Sequence, residues 1–173
     1  MSQRDVTELP GAVAIVPLHA DGTVVLVRQY RHPIGRRLLE VPAGLLDSTT
    51  ESALEAGERE LLEEVGLRAG RWDTLADVLT TPGMSDETIR LLLARSLTPV
   101  RAQERPAPLH EEADMQVERI PLADAVDLVL AGKLENGITA AALLAAQVAL
   151  SSGRTLRPVD APWPARKTKA GRP

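Results

Sequence analysis

GLLDSTTESALEAGERELLEEVGL, residues Gly44–Leu67, decides how this 173-residue chain reads. The spacing predicts a helix over 48–65. Leu54, Leu61, Leu62 and Val65 recur at helical intervals and make one buried stripe. Ser48, with Glu51 three positions on, has the spacing of a capping box, and Gly66 is a natural stop. Glu60 and Glu64 lie four apart with Glu63 beside them, so the three carboxylates share a face. Like charges within one turn weaken a helix. A cluster of hard oxygen donors is, however, what Mg2+ or Mn2+ binds. Arg59, four before Glu63, is placed for an ion pair that steadies a carboxylate. A Glu-rich helix face is most often only solvated. Here the tight Pro42-Ala43-Gly44 turn, Arg59 directly before Glu60 and the stop at Gly66 favour the metal reading.

The composition agrees with carboxylate ligands. There is no cysteine, which excludes disulfides, a thiol nucleophile and Cys-based metal sites. The three histidines, His19, His32 and His110, are scattered. With no Phe, one Tyr and two Trp, the core must be aliphatic, and extended stacking on single-stranded nucleic acid is disfavoured. No apolar run is long enough to span a membrane. Met1–Pro10 is polar and lacks the pattern of a signal peptide, so a cytoplasmic location is expected.

Working outward, Gly11–Leu18 and Thr23–Tyr30 read as strands joined by a hairpin turn at Ala20-Asp21-Gly22. Arg37–Val41, Trp72–Leu79, Glu87–Leu97 and Met115–Ile120 are further strands, and Leu122–Ala131 and Gly137–Ser151 are helices. Thr98–Ala113 reads as a charged loop. The order implies an α/β (α+β) fold, a mixed sheet between helices.

The charge of −4 is uneven. Residues 152–173 carry Arg154, Arg157, Arg166, Lys167, Lys169 and Arg172 against Asp160 alone, a net +5, with four prolines. They read as a mobile, solvated tail to a domain over 1–151. That domain holds −9, which suits a cation and disfavours non-specific DNA binding.

The stretch resembles the signature of Nudix hydrolases, Gly-x5-Glu-x7-Arg-Glu-apolar-x-Glu-Glu-x-Gly-apolar. Glu51, Arg59, Glu60, Leu61, Glu63, Glu64, Gly66 and Leu67 fall in register. Six residues rather than five separate Gly44 from Glu51, which lengthens the loop before the helix and leaves the helix intact. Val27–Arg31, Leu39–Gly44, Pro82-Gly83 with Asp86-Glu87, Glu111-Glu112 with Asp114, and Asn136 are similar to the ADP-ribose pyrophosphatase branch.

This resemblance implies a Nudix fold and metal-dependent hydrolysis of a nucleoside diphosphate, ADP-ribose first, to AMP and ribose 5-phosphate. ADP-glucose, another nucleotide sugar or FAD are alternatives. So is a non-catalytic nucleotide-sensing module, against which stands the full set of helix glutamates. The implied metal ligands, for Mg2+ or Mn2+, are Glu60, Glu63, Glu64 and the backbone carbonyl of Ala43. Arg59 orients the glutamates, and Glu51 is structural or an outer metal group. The catalytic base is implied in the stretch His110–Asp114, Glu112 first and Glu111 second. The substrate candidates are Arg28, Tyr30, Arg31, Glu40, Gly44, Met84 and Asp86. Tyr30 either packs on adenine or fills core volume. Arg28 and Arg31, three apart on a strand, face opposite sides unless the chain bends. A homodimer is expected.

Overall fold

Strand β1 (Ala12–Pro17) is buried along its whole length. Val13 and Ile15 point to one side, and Ala12, Ala14 and Val16 to the other. An apolar run without polar alternation marks a strand covered on both faces. In the computed structural model, which describes residues 5–105 and 115–166, helices supply both covers. Helix α1 (Ala53–Val65) packs on the side of Val13, Ile15, Leu92 and Ala94. Helices α2 (Leu122–Leu130) and α3 (Gly137–Ser152) pack on the side of Ala14, Val16, Leu91 and Leu93. Gly57 permits the close approach of α1, because a β-carbon there would lie 3.0 Å from Leu92 and 3.1 Å from Trp72.

The mixed α/β class holds, with the strands divided between two sheets. One is mixed: β4 (Ala43–Leu45), β1, β6 (Thr88–Pro99), β5 (Leu67–Leu79) and β8 (Arg157–Pro158), with β1 and β6 parallel and the other pairs antiparallel. The second is antiparallel: β3 (Arg36–Glu40), β2 (Thr23–Arg31) and β7 (Gln116–Pro121). The expected β1–β2 hairpin is therefore corrected. Asp21 and Gly22 do turn the chain, with the Asp21 carboxylate accepting from the Thr23 amide at 3.1 Å. Both edges of β1 are already taken by β4 and β6, so β2 leaves for the other sheet after the single Leu18–Val24 bridge.

Helix α1 also starts later than expected. Ser52, not Ser48, is its cap: Ser52 Oγ accepts from the Glu55 amide and the Glu55 carboxylate accepts from the Ser52 amide. Ser48 instead closes a turn ahead of the helix, accepting from the Thr50 and Glu51 amides. The buried stripe is Ala53, Ala56, Gly57, Leu61 and Val65, while Leu54 and Leu62 are half-buried.

The segment expected to be a solvated tail is packed over residues 157–166. Strand β8 pairs with β5. Arg90, 2% exposed, donates to the carbonyls of Val159, Ala161 and Pro162 and stacks on Trp163 at 4.8 Å. Trp163 Nε1 donates to Thr88 Oγ1 at 2.9 Å. The local composition hides this, because the partners come from β6 rather than from the segment itself. The buried charge of Arg90 is balanced by Asp77, at 2.7 Å, which Arg157 also contacts at 2.8 Å.

Burial acts to raise the Asp77 carboxyl, but hydrogen bonds from Arg90 and Arg157 outweigh it and hold it below the ordinary 3.8. A carboxylate lowered in this way stabilises the fold fully above its ordinary value. That contribution is lost as the pH falls through its own lower value. Asp77→Asn is expected to lower stability by about 2 kcal/mol at neutral pH. In urea titrations the gap to the wild type should close as the pH drops below 3.8, and a gap independent of pH would contradict the assignment.

Candidate functional site

The site assembles where the short strand β4 passes the acidic face of α1. Past the end of β3 at Glu40, the Pro42 carbonyl accepts from the Ile15 amide at 2.8 Å, which carries the chain across to β1. Ala43 and Gly44 then lie directly against two of the glutamates. The Ala43 amide donates to Glu64 Oε2 at 3.1 Å. A β-carbon on Gly44 would sit 1.8 Å from Glu60 Oε1, so the carboxylate occupies the place a side chain would need. Gly66, at φ +63°, ends α1 immediately after the acids, its amide reaching the Leu61 and Leu62 carbonyls.

Arg59 is the hub. Its Nη1 donates to Glu60 at 2.6 Å and to Glu63 at 3.4 Å. Its Nε lies 3.2 Å from both Glu51 and Asp47, and its Nη2 donates to the Leu45 carbonyl at 2.9 Å. Burial works against its charge, but hydrogen bonds to Glu51 and Glu60 and their negative charge raise its pKa far above the ordinary value. It therefore stays charged and fixes carboxylates on both sides of itself. Sequence spacing suggested the Arg59–Glu63 pair. Asp47 and the Leu45 carbonyl carry no such signal, because the loop folds back to reach them.

Glu60, 7% exposed, is the most buried of the three helix glutamates. Like the half-buried Glu63 and Glu64, it is a hard oxygen donor, and in kind the set fits a divalent cation. Among the described residues no three acidic or His side chains already converge on one point. The carboxylates turn instead toward Arg59 and the Ala43 amide.

The remaining candidates divide. Gly44, expected to touch substrate, lies under Glu60. Arg31 and the buried Glu40 form a two-pronged pair at 2.9 and 2.7 Å, only three residues in the chain from Ala43. Arg28 pairs separately with Glu118 on β7 at 2.6 Å, so the two arginines do not join in one cluster. Tyr30 is 45% exposed, which removes the core-filling alternative. Met84 is 63% exposed on the loop before β6. Asp86 accepts from the Leu9 amide at 3.0 Å, tying that loop to the N-terminal segment. Glu111 and Glu112 lie outside the described residues.

Comparison with known proteins adds four findings. The NUDIX domain profile matches residues 8–142. The chain is 46% identical over 165 residues to "ADP-ribose pyrophosphatase" of Mycobacterium tuberculosis, covering 95% of this chain and 78% of that protein. It is 33% identical over 142 residues to "ADP-ribose pyrophosphatase" of Bacillus subtilis, covering 82% and 75%. A solved structure described as an "ADP compounds hydrolase" superposes with a TM-score of 0.68 at 28% identity, covering 84% of this chain and 75% of that one.

Proposed function

Because the chain belongs to the NUDIX domain family of hydrolases, we propose that it hydrolyses the diphosphate of ADP-ribose to AMP and ribose 5-phosphate. The observation that carries this reading is the 46% identity to an ADP-ribose pyrophosphatase over nearly the whole chain. The acid cluster beside β4 supports it.

Glu60, Glu63 and Glu64 would hold a divalent cation, Mg2+ or Mn2+, with the Ala43 carbonyl as a further oxygen donor. Bound there, such a cation would supply charge neutralisation at the diphosphate and lower the pKa of a water. The chain's own part is orientation. Arg59 holds Glu60 and Glu63 by paired charge, and the Ala43 amide holds Glu64. These contacts restrain the acids, and binding a cation would turn them from Arg59 and the Ala43 amide onto one point. Glu112, or Glu111 next to it, takes the proton of the attacking water. Arg31, held in place by Glu40, is the candidate for a phosphate, and exposed Tyr30 the candidate for the adenine.

The test is AMP release from ADP-ribose by the purified protein with Mg2+, ranked by kcat/KM against ADP-glucose, other nucleotide sugars and FAD. AMP release with ADP-ribose ranked first supports the reading, and a different diphosphate ranked first overturns the substrate. Binding without turnover would indicate a sensing module.

A cytoplasmic homodimer is part of the same proposal. Exposed Leu130, Val148 and Leu150 on α2 and α3 favour self-association, and a light-scattering mass near 18.6 kDa would refute the dimer. No described helix is long and apolar enough to cross a membrane.

A further inference from the structure

The packed C-terminal segment reaches the loop that feeds the acidic helix. Beyond Trp163 the chain turns, and Arg166 Nη2 donates to the Thr49 carbonyl at 3.1 Å and to the Glu51 carbonyl. The guanidinium also lies 5.9 Å from the Trp163 ring, which Arg90 stacks on at 4.8 Å. Ser52, Ala53 and Leu54 face Val159–Trp163 across the crevice between them. The loop in question is the one that is a residue longer than the family signature requires.

Glu51 is thus held twice. Its main-chain carbonyl is bound by Arg166, and its carboxylate binds Arg59 at 3.2 Å and accepts from the Asp47 amide at 2.6 Å. Arg59 in turn sits 2.6 Å from Glu60. A continuous path of charge-assisted contacts runs from the tail to the buried acid. Glu51 and Asp47 draw Arg59 from one side while Glu60 and Glu63 draw it from the other. If the loop loosens, Glu51 and Asp47 lose their grip, and Arg59 settles more firmly on Glu60.

We propose that Arg166 is a positioning residue for catalysis. By clamping the Thr49 and Glu51 carbonyls it sets how tightly Arg59 holds Glu60, and so how readily Glu60 accepts a cation. The inference rests on the acid cluster being the catalytic site. It assigns the C-terminal segment a role in tuning that site rather than only in closing the sheet.

The test uses the full chain with Arg166→Ala and Arg166→Lys, read by hydrogen exchange at residues 47–52 and by steady-state kinetics. In Arg166→Ala, amide protection over the loop should fall about tenfold. The Mg2+ concentration for half-maximal rate should rise about fivefold and kcat should drop by a similar factor, with KM for substrate within about twofold. Lysine, a single charged donor, should restore part of both effects. A purely structural tail would lower the melting temperature and leave the metal dependence unmoved, and that result overturns the proposal. Unchanged loop protection overturns it equally. Should Arg166→Ala fail to fold, Arg166→Lys against Arg166→Gln makes the same comparison. If the wild type does not hydrolyse ADP-ribose, the substrate assignment falls, while loop protection and cation dependence with whichever diphosphate is cleaved still decide the role of Arg166.

Discussion

Glu64→Gln should reduce kcat by about three orders of magnitude or more while leaving the fold in place. A cation at a diphosphate stabilises several kcal/mol of developing charge, and each 1.36 kcal/mol lost is tenfold in rate. The substitution is nearly isosteric. The amide oxygen of glutamine can still accept from the Ala43 N–H, so the contact that seats this side chain survives. Only the charge disappears. Removing one of three crowded carboxylates also relieves repulsion along the helix, so the melting temperature should be unchanged or slightly raised. Circular dichroism melts and AMP release measure the two halves. Near-wild-type turnover would remove Glu64 from the metal set, whereas a collapsed melt would show its role to be structural.

Gly44→Ala is expected to cost about a hundredfold in kcat for little loss of stability. Gly44 does not have a left-handed backbone, so alanine is not strained there by its dihedral angles. The difficulty is space. The new methyl would be 1.8 Å from Glu60 Oε1 and 2.2 Å from its Cδ. The atoms it meets are the end of a side chain, so the carboxylate rather than the strand must move. The glycine-to-alanine change also stiffens the unfolded chain, which offsets part of the strain, and the net stability change should stay within about 1 kcal/mol. Displacement of Glu60 breaks its 2.6 Å contact with Arg59 and removes the best-buried acid from the cluster. An intact melt with normal kcat would mean that Glu60 is not needed in this position. Comparison with Glu60→Gln should give a similar loss, because both changes act on one carboxylate.

Much of the site was legible because its determinants are local. Arg59 and the three glutamates lie on one helix, and helical spacing alone brings them together. The start of α1 was less legible, since Ser48 with Glu51 and Ser52 with Glu55 both have the spacing of a cap. Which one opens the helix depends on what else holds Glu51. In the fold that is Arg59, eight residues on. The separation of β1 from β2 was not legible at all. Their turn is a good hairpin turn, and the competition for the edges of β1 comes from β4 and β6, far along the chain. Arg90, within the strand expected over Glu87–Leu97, is the anchor of the C-terminal segment, a role its own stretch of sequence does not signal. Buried charge is readable only once its partners are known, and here these are Asp77 on the neighbouring strand and three carbonyls 69 to 72 residues away.

The N-terminal segment carries a practical consequence of its own. Thr7 bridges to Ser85, its amide donating to the Met84 carbonyl and its own carbonyl accepting from Asp86, while the Leu9 amide reaches the Asp86 carboxylate. The loop that displays Met84 is therefore moored to residues that precede it by 77 positions. Trimming the first nine residues, or hanging a bulky fusion close to Leu9, would unmoor a loop on the far side of the sequence while sparing the core. Tag placement on this chain is thus an experimental variable rather than a convenience.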